Sequence, residues 1–340
     1  MNCIFCYTYR IEKYLMSNGE KNRFCFDKKL LNIYPMSYLY TVFGIPIRSE
    51  IELPAFQPLV DDGTENDPIV VNIGKTDGLF SQSITTTRAM CRFNADEFLY
   101  EMPKVGKYFV KNGNEIIIQP LTDNMDSVLV FFYSNALAAA LFQRNKLLIH
   151  ASGIIDKNGK VWLFVAPSRV GKSTTALMLH QLGYPLFSDD IVMFHNTANK
   201  NMVTPSYPMI RIWQNTLEAQ TVFDQESIYQ IRPAVEKYGV LFHDTFDPSP
   251  REIAGLVFLK IGEEKIEITG LKGKEGFGYL NDNFYRKQWL SGMGKNNLKF
   301  KDLTYLAKNT SFWLASRPRE MTSFKDFAEA IDKQIISKNG

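Results

Sequence analysis

The chain has 340 residues, of which 45% are hydrophobic and 22% are charged, and its formal net charge is +3. This composition is typical of a soluble globular protein with one large core or two moderate ones. Lysine and arginine are spread along the chain, and the most apolar stretch, residues 128–142, is expected to be too short to span a bilayer. We therefore expect neither nucleic-acid nor membrane partners. We expect a cytoplasmic protein.

Residues 1–35 carry scattered aromatic and cationic residues without a clear hydrophobic period. They lack the layout of a signal peptide, because charged residues follow a short mixed segment and no small-residue cleavage site appears. Cys3 and Cys6 form a lone C-x-x-C without a second pair at zinc-site spacing, and metal binding or redox work is the lesser interpretation. We expect a leader or a mobile extension and assign it no function.

The segment 36–125 is predicted to be β-rich and antiparallel, because short apolar alternations are separated by turn formers. Strand patterns occur at residues 40–43, 45–53, 69–73, 98–102, 107–110 and 115–119. We find no catalytic cluster of residues in this part, and no residue in it supports a role in substrate recognition.

The segment 126–340 is predicted to be the catalytic domain, and it begins with a buried helix over residues 126–142. Residues 147–155 and 161–165 then form a hairpin, because Asp156-Lys157-Asn158-Gly159 is a strong turn signal. His150 lies on this hairpin. A lone histidine on a strand is more often a satisfied core residue than a catalytic one.

A phosphate-binding loop is predicted between the buried strand 161–165 and a helix over residues 174–182. Such a turn points backbone N–H groups and the positive end of the helix dipole at a phosphate. The pattern G-x-x-x-x-G-K-[ST] is met at Gly171, Lys172 and Ser173, while Ala166 departs from it. The predicted nucleotide-binding residues are Ala166, Pro167, Ser168, Arg169, Val170, Gly171, Lys172, Ser173 and Thr174.

Two side chains of this loop have specific predicted positions. Lys172 is expected to reach the β- and γ-phosphates, and the Ser173 hydroxyl is expected to ligate Mg²⁺. Arg169 is a larger departure from the pattern than Ala166, because its guanidinium must point outward or join the ligand contacts. An ordinary strand–turn–helix connection is the alternative for the loop as a whole.

Tandem carboxylates support the phosphate-binding interpretation. The apolar segment 184–188 ends at Asp189 and Asp190. Because adjacent parallel strands end at the same edge of a sheet, we expect both carboxylates beside the loop. One carboxylate there can hold Mg²⁺, and the other can accept a proton.

The rest of the chain gives weaker signals. Arg211 lies in an apolar run and needs a partner, for which a carboxylate of the fold is preferred over a bound phosphate. Residues 270–278, rich in glycine and lysine, are predicted to form a mobile loop that would act as a lid. Helical patterns occupy residues 214–223, 284–290, 300–307 and 323–336, and strand patterns occupy 191–195, 208–213, 253–259 and 311–315.

These motifs resemble the HPr kinase/phosphorylase family. The resemblance rests on His150-Ala151-Ser152-Gly153, the loop, and Ser188-Asp189-Asp190. HPr-kinase-related serine kinases of lasso-peptide precursors are more similar still, since residues 38–54 are like their opening segment. The resemblance covers most of residues 38–320 and is specific between His150 and Asp190. Phosphoenolpyruvate carboxykinases share the core more distantly.

The resemblance implies an α/β fold, with a P-loop kinase core of the HPr kinase/phosphoenolpyruvate carboxykinase type and a β-rich N-terminal part. It implies ATP and Mg²⁺ as cofactors and a serine of a small protein or precursor peptide as acceptor. Lys172 and His150 would be catalytic, Ser173 and Asp190 would hold Mg²⁺, and Asp189 would be the base. The division of roles between the aspartates stays open. In that family Arg251 and Glu252 would also be site candidates.

Two other functions stay open at this point. A small-molecule kinase could use the same core, and Ala166 and Arg169 motivate a nucleotide-binding module without catalysis. Whether the chain forms a homo-oligomer, and whether it runs the reverse reaction, does not follow from the sequence.

Overall fold

The computed structural model describes residues 37–339, except 61–62, 64–65, 81–83, 85, 198–199, 219–227, 233–234, 263 and 321–322. These residues belong to one compact unit. The expected leader, residues 1–35, lies outside the described residues, as does the second half of the helix expected at 214–223.

The first half of the described chain forms a nine-stranded sheet with the order β3-β1-β2-β4-β9-β8-β7-β6-β5. Its strands are β1 (Tyr38–Val42), β2 (Ile45–Ser49), β3 (Gln57–Pro58), β4 (Ile69–Ile73), β5 (Thr86–Arg88), β6 (Cys91–Phe93), β7 (Glu97–Met102), β8 (Gly106–Lys111) and β9 (Glu115–Pro120). Each predicted strand has a counterpart, but the strand predicted over residues 45–53 ends at Ser49. The predicted antiparallel arrangement is wrong at the centre, where β4 pairs in parallel with both β2 and β9 because the chain crosses over between these strands.

The second half forms another nine-stranded sheet and a three-stranded one. Its strands are β10 (Leu147–Ile149), β11 (Ala151–Ile155), β12 (Val161–Val165), β13 (Leu186–Ser188), β14 (Val192–Asn196), β15 (Asn201–Pro205), β16 (Met209–Trp213), β17 (Ile228–Arg232), β18 (Val235–Leu241), β19 (Arg251–Ile261), β20 (Glu267–Leu271) and β21 (Ser311–Arg317). The large sheet runs β10-β14-β15-β19-β12-β11-β13, with β21 beside β19 and β20 beside β21, and the small sheet runs β16-β18-β17. The protein is thus a mixed α/β protein with two large mixed sheets.

Parallel strands at the centre of the second sheet determine where a ligand can bind. β12, β19 and β21 are parallel neighbours, so their carboxyl ends meet at one edge. β13 was expected to be the parallel neighbour of β12, and this is wrong because β11 lies between them. β11 is antiparallel to both, so β13 runs in the same direction as β12 and also ends at that edge.

The helices pack on these sheets. Their bounds are Met125–Phe131, Leu137–Gln143, Lys172–Gln181, Gln214–Glu218, Gly273–Asp282, Lys287–Gly292, Asn296–Lys308, Ser323–Ile331 and Ser337–Asn339, with π-helical turns at Phe132–Ala136 and Asp332–Ile336 and a 3₁₀ turn at His243–Thr245. We call Met125–Gln143 the core helix, Lys172–Gln181 the loop helix and Ser323–Ile331 the closing helix. The core helix is long and apolar enough for a membrane span, with 19 residues and mean hydropathy 1.5. Of that stretch, 78% is buried inside the protein, as in the core helix of a folded domain.

The glycine-rich segment 270–278 is not a loop. It contributes the end of β20 and most of the helix Gly273–Asp282. Gly276 lies against Phe312 of β21, where an added Cβ would be 2.4 Å from the ring. The prediction failed because this glycine serves close packing between a helix and a distant strand, and packing overrides the low helix propensity of glycine.

Candidate active site

A cleft of about 460 Å³ lies at the edge where β12, β19 and β21 end. Cationic side chains dominate its wall. They are Arg169, Lys172, Arg211, Lys237, Arg317 and Arg319. Asp189, Asp190 and His150 also line it. A concave site with this surplus of positive charge suits a polyanion that brings its own negative charge.

The predicted phosphate loop lies in this cleft and leads into the loop helix at Lys172. Gly171 has φ +118°, a left-handed conformation that favours glycine. Ala166, which departs from the sequence pattern, is 1% exposed and belongs to the same buried hydrophobic cluster as Ala176 and Leu177 of the loop helix. Its methyl group therefore faces the core, which explains why this departure leaves the loop intact.

Lys172 is a buried cation of the loop. Its side chain is 7% exposed, and its ammonium donates to the carbonyl oxygens of Ala166, at 2.9 Å, and Pro167, at 3.4 Å. Burial lowers the pKa of Lys172 to about 8, although Asp190 and Asp189 act in the opposite direction. A phosphate group offers this ammonium stronger acceptors than two carbonyls.

The closing helix supports the loop from behind. The Phe324 ring lies so close to Gly171 that a Cβ there would be 2.5 Å from it. The guanidinium of Arg317 stacks on the same ring, 3.9 Å from its centre, and donates to the Val170 carbonyl at 2.9 Å. The end of β21 and the start of the closing helix therefore contact the loop and hold its conformation at Val170 and Gly171.

Arg169 lies at the outer side of the loop. Its φ is +72°, and its guanidinium is 5.3 Å from the centre of the Trp213 ring. Lys237 lies 5.7 Å from the same ring centre. The sequence left open whether this guanidinium points outward or joins the ligand contacts. In the structure it packs on the Trp213 ring, and Arg169 lines the cleft as well.

Asp189 is the hub of hydrogen bonds beside the loop. It is 2% exposed, and its Oδ1 accepts from the hydroxyl of Ser173, at 2.7 Å, and from that of Ser152. Its Oδ2 accepts from the backbone N–H of Arg211 at 2.9 Å. Ser173 was expected to pair with Asp190 as a joint metal ligand, whereas the structure sets it against Asp189.

Asp190 lies in a different environment. Its Oδ2 pairs with Nη1 of Arg211 at 2.8 Å, and its φ of +68° turns the backbone sharply after Asp189. Burial alone would raise the pKa of this carboxyl, but Arg211, His150 and nearby lysines hold it below its usual value. Arg211 thus has the carboxylate partner that was preferred from the sequence, and it lines the cleft as well.

His150 lies between β10 and β11, where the chain passes the cleft. Its Nδ1 is 2.8 Å from the Asp190 carbonyl oxygen, which can only accept a hydrogen bond, so Nδ1 carries the proton and Nε2 carries the lone pair. Burial lowers the pKa of His150, with Asp190 opposing and Lys172 reinforcing the shift. The imidazole is therefore neutral near pH 7 and can accept a proton.

The structure brings most of the predicted loop together with His150, Asp189 and Asp190 in one cleft. Three of the predicted nucleotide-binding residues do not line it, namely Ala166, Pro167 and Val170. Arg251 and Glu252 lie at the start of β19, at the opposite edge of the sheet, where Glu252 pairs with Lys160 and Lys200. Sequence reasoning missed Arg317 and Arg319 at the end of β21. Cations that directly follow an apolar strand were the available signal, because that strand shares the loop's sheet edge.

Comparisons with known proteins show a distant structural likeness. No family model matches the chain, and no curated protein matches it. Among solved structures, the Hpr(Ser) kinase/phosphatase from Coxiella burnetii is similar over 57% of this chain and 99% of that chain, with 10% sequence identity and a TM-score of 0.31. This likeness assigns no role to any residue of this chain.

Proposed function

We propose that the protein is an ATP- and Mg²⁺-dependent kinase that transfers the γ-phosphate to a hydroxyl group, with serine of a peptide or small protein as acceptor. One observation carries the proposal: the Ser173 hydroxyl is 2.7 Å from the Asp189 carboxylate, in the first turn of a helix that begins at a phosphate-type loop. A hydroxyl and a carboxylate so placed form a usual protein contribution to a nucleotide–Mg²⁺ site.

The oxygen donors fit Mg²⁺. Ser173 and Asp189 offer hard oxygen ligands, and Mg²⁺ is usually bound by one or two carboxylates together with phosphate oxygens and waters. Among the described residues, no group of three or more His, Cys, Asp or Glu side chains could hold a metal by itself. The exchange of roles follows from the contacts: Asp189 is proposed as the metal ligand instead of Asp190.

The cationic wall fits a polyphosphate. Lys172 and the next two residues of the loop helix line the cleft together with Arg211 and Arg317. Phosphoryl transfer needs mainly positioning and charge stabilisation, since the bond changes require little covalent help from the protein. This wall supplies both.

The acceptor's proton needs a base, and His150 is the best placed group. Both carboxylate oxygens of Asp189 are occupied by hydrogen bonds and by its proposed role as metal ligand. Arg211 stabilises the ionised form of Asp190, which makes that carboxylate a weak base. Neutral His150 keeps a lone pair on Nε2, and Asp190 fixes the orientation of its ring through the carbonyl oxygen. We therefore assign His150 the role that was expected of Asp189.

The test is phosphate transfer to defined acceptors. The purified protein is incubated with ATP–Mg and, separately, with serine-containing peptides, a small serine-containing protein and free serine, and the mass gain of one phosphate is followed. Lys172→Met should abolish transfer. Lys333→Met is the matched control, because Lys333 is an exposed residue near the end of the C-terminal helical segment and does not line the cleft. Transfer to free serine alone would favour a small-molecule kinase, and nucleotide binding without any transfer would favour a non-catalytic module.

A further inference from the structure

A second cavity, of about 220 Å³, adjoins the cleft and shares Arg211 with it. We call it the side pocket. Apolar side chains from the core helix and from the small sheet form most of its wall. They are Leu129, Val130, Tyr133, Met209 and Leu241.

The wall of the side pocket is rigid. Leu129, Val130, Tyr133 and Met209 are between 2% and 7% exposed, and they belong to elements that pack in the main core. Met209 and Leu241 lie opposite each other in the β16–β18 pair. A cavity with such walls keeps its shape, and a cavity of about 150 Å³ is enough to hold a benzene ring. The side pocket is therefore large enough for one aromatic or branched aliphatic side chain.

The position of the side pocket indicates what enters it. Arg211 separates it from Asp190, to which Nη1 of Arg211 is paired at 2.8 Å, and Asp190 orients His150. On the kinase proposal, the acceptor hydroxyl approaches His150. In a peptide whose serine hydroxyl lies at His150, the residues next to the serine lie near Arg211. The side pocket, which Arg211 also lines, is then the nearest apolar space for one of their side chains.

We propose that the side pocket binds an apolar side chain of the acceptor, next to the hydroxyl that is phosphorylated. This inference rests on the proposed function and names its substrate class: a peptide or protein with an apolar residue beside the acceptor serine, rather than a free amino acid. An adenine base is a poorer occupant, because its polar edge would lie against a mostly apolar wall. The carboxylate of Asp126 at the rim disfavours an acidic neighbour.

The experiment uses capped hexapeptides of glycine with one serine and one variable residue, Leu, Phe, Gly or Asp, placed before or after the serine. Rates with ATP–Mg give kcat/KM for each peptide. Fluorescence anisotropy of labelled peptides in which alanine replaces serine measures binding without transfer. Burying a leucine-sized side chain should raise kcat/KM about tenfold or more over the glycine peptide, and the Asp peptide should be the poorest.

Leu241 lines the side pocket and is partly buried, so the larger indole of Leu241→Trp should fill the pocket. It should remove the preference for Leu and Phe, while the affinity for ATP–Mg stays as in the wild type. Leu121→Trp, at an exposed leucine away from both cavities, is the matched control and should keep the preference.

The outcomes separate the two proposals. Equal rates on the Leu and Gly peptides overturn the side-pocket proposal and leave the kinase proposal standing. Selective binding of the Leu peptide that Leu241→Trp abolishes, without transfer to any peptide, overturns the kinase proposal and with it the assignment of the side pocket to a phosphate acceptor. The side pocket would then be a site for peptide binding alone. Loss of ATP affinity in Leu241→Trp would make the cavity part of the nucleotide site and overturn the inference.

Discussion

Asp189 and Asp190 are neighbours in sequence and differ in what surrounds them. Asp189 accepts hydrogen bonds from two serine hydroxyls and a backbone N–H, whereas Asp190 pairs with a guanidinium and touches an imidazole. The sequence alone does not distinguish the roles of two consecutive aspartates. Their roles become distinguishable only once the chain turns at Asp190, whose left-handed backbone directs the two side chains to different partners.

Substitution of the two aspartates should therefore affect different kinetic properties. Asp189→Asn should raise the Mg²⁺ concentration needed for half-maximal rate by about tenfold or more, because an amide is a weak ligand for Mg²⁺. Asp190→Asn should lower the maximal rate with little change in Mg²⁺ dependence, because it removes the negative charge that pairs with Arg211 and that lies 3.5 Å from Nδ1 of His150. Initial rates over a Mg²⁺ series decide this, and identical Mg²⁺ curves for both variants would refute the assignment.

His150 should give the reaction a pH dependence on the acidic side. Because burial lowers its pKa below the ordinary 6.5, the neutral, basic form prevails above that value and is lost as the pH falls. We expect kcat/KM to rise with pH through a titration below 6.5 and then to level off. His150→Asn should lower the plateau by about 10²-fold or more and abolish the titration. His180→Asn, on the loop helix outside the cleft, is the control, and a titration that survives in His150→Asn would point to another base.

At the scale of elements, local patterns identified the strand β12, the loop and the loop helix, because each has a continuous apolar period or a motif in sequence. Local patterns could not identify the residues that contact the loop from β21 and the closing helix. Phe324 and Arg317 reach Gly171 from a distant part of the chain, and no local period encodes that contact. The helix Gly273–Asp282 was missed for the same reason, since Gly276 is explained by its contact with Phe312 of β21.

Two glycines of that helix offer a matched pair. A Cβ at Gly276 would lie 2.4 Å from the Phe312 ring, whereas a Cβ at Gly278 would meet no atom within 4 Å. Gly276→Ala should lower the free energy of unfolding by about 1–3 kcal/mol through overpacking. Gly278→Ala should raise it by up to about 1 kcal/mol through helix propensity. Urea unfolding measures both, and equal effects would mean that the helix does not pack on β21 as described.

At the scale of the whole molecule, the two large sheets share one core. Phe56, between β2 and β3, lies 5.6 Å from the ring of Tyr207 and 5.1 Å from that of Tyr133. Tyr207 in turn accepts a hydrogen bond from Nη2 of Arg211 at 2.8 Å. Residues on the two sides of the predicted boundary between residues 125 and 126 are thus in direct contact, and these contacts connect the first sheet to the cleft.

We expect the described unit to unfold in one transition. Phe56→Ala should destabilise the protein by about 3–5 kcal/mol, because it leaves a cavity where both halves meet. Leu59→Ala, three residues away at a partly exposed position, should be nearly neutral. Tryptophan fluorescence and far-UV circular dichroism should move together in urea. Two separated transitions would instead divide the unit into domains near the predicted boundary.

Because Lys172 is buried and its pKa is lowered, nucleotide binding should be coupled to proton uptake from the buffer. With a pKa of about 8, roughly half of its ammonium groups lack their proton at pH 8, and a polyphosphate that binds there restores it. Each binding event should then take up roughly half a proton from the buffer at pH 8 and almost none at pH 6. In calorimetry, the measured heat of binding should vary with the ionisation enthalpy of the buffer at pH 8. Lys172→Arg, whose side chain stays charged, should bind with a heat that is independent of the buffer.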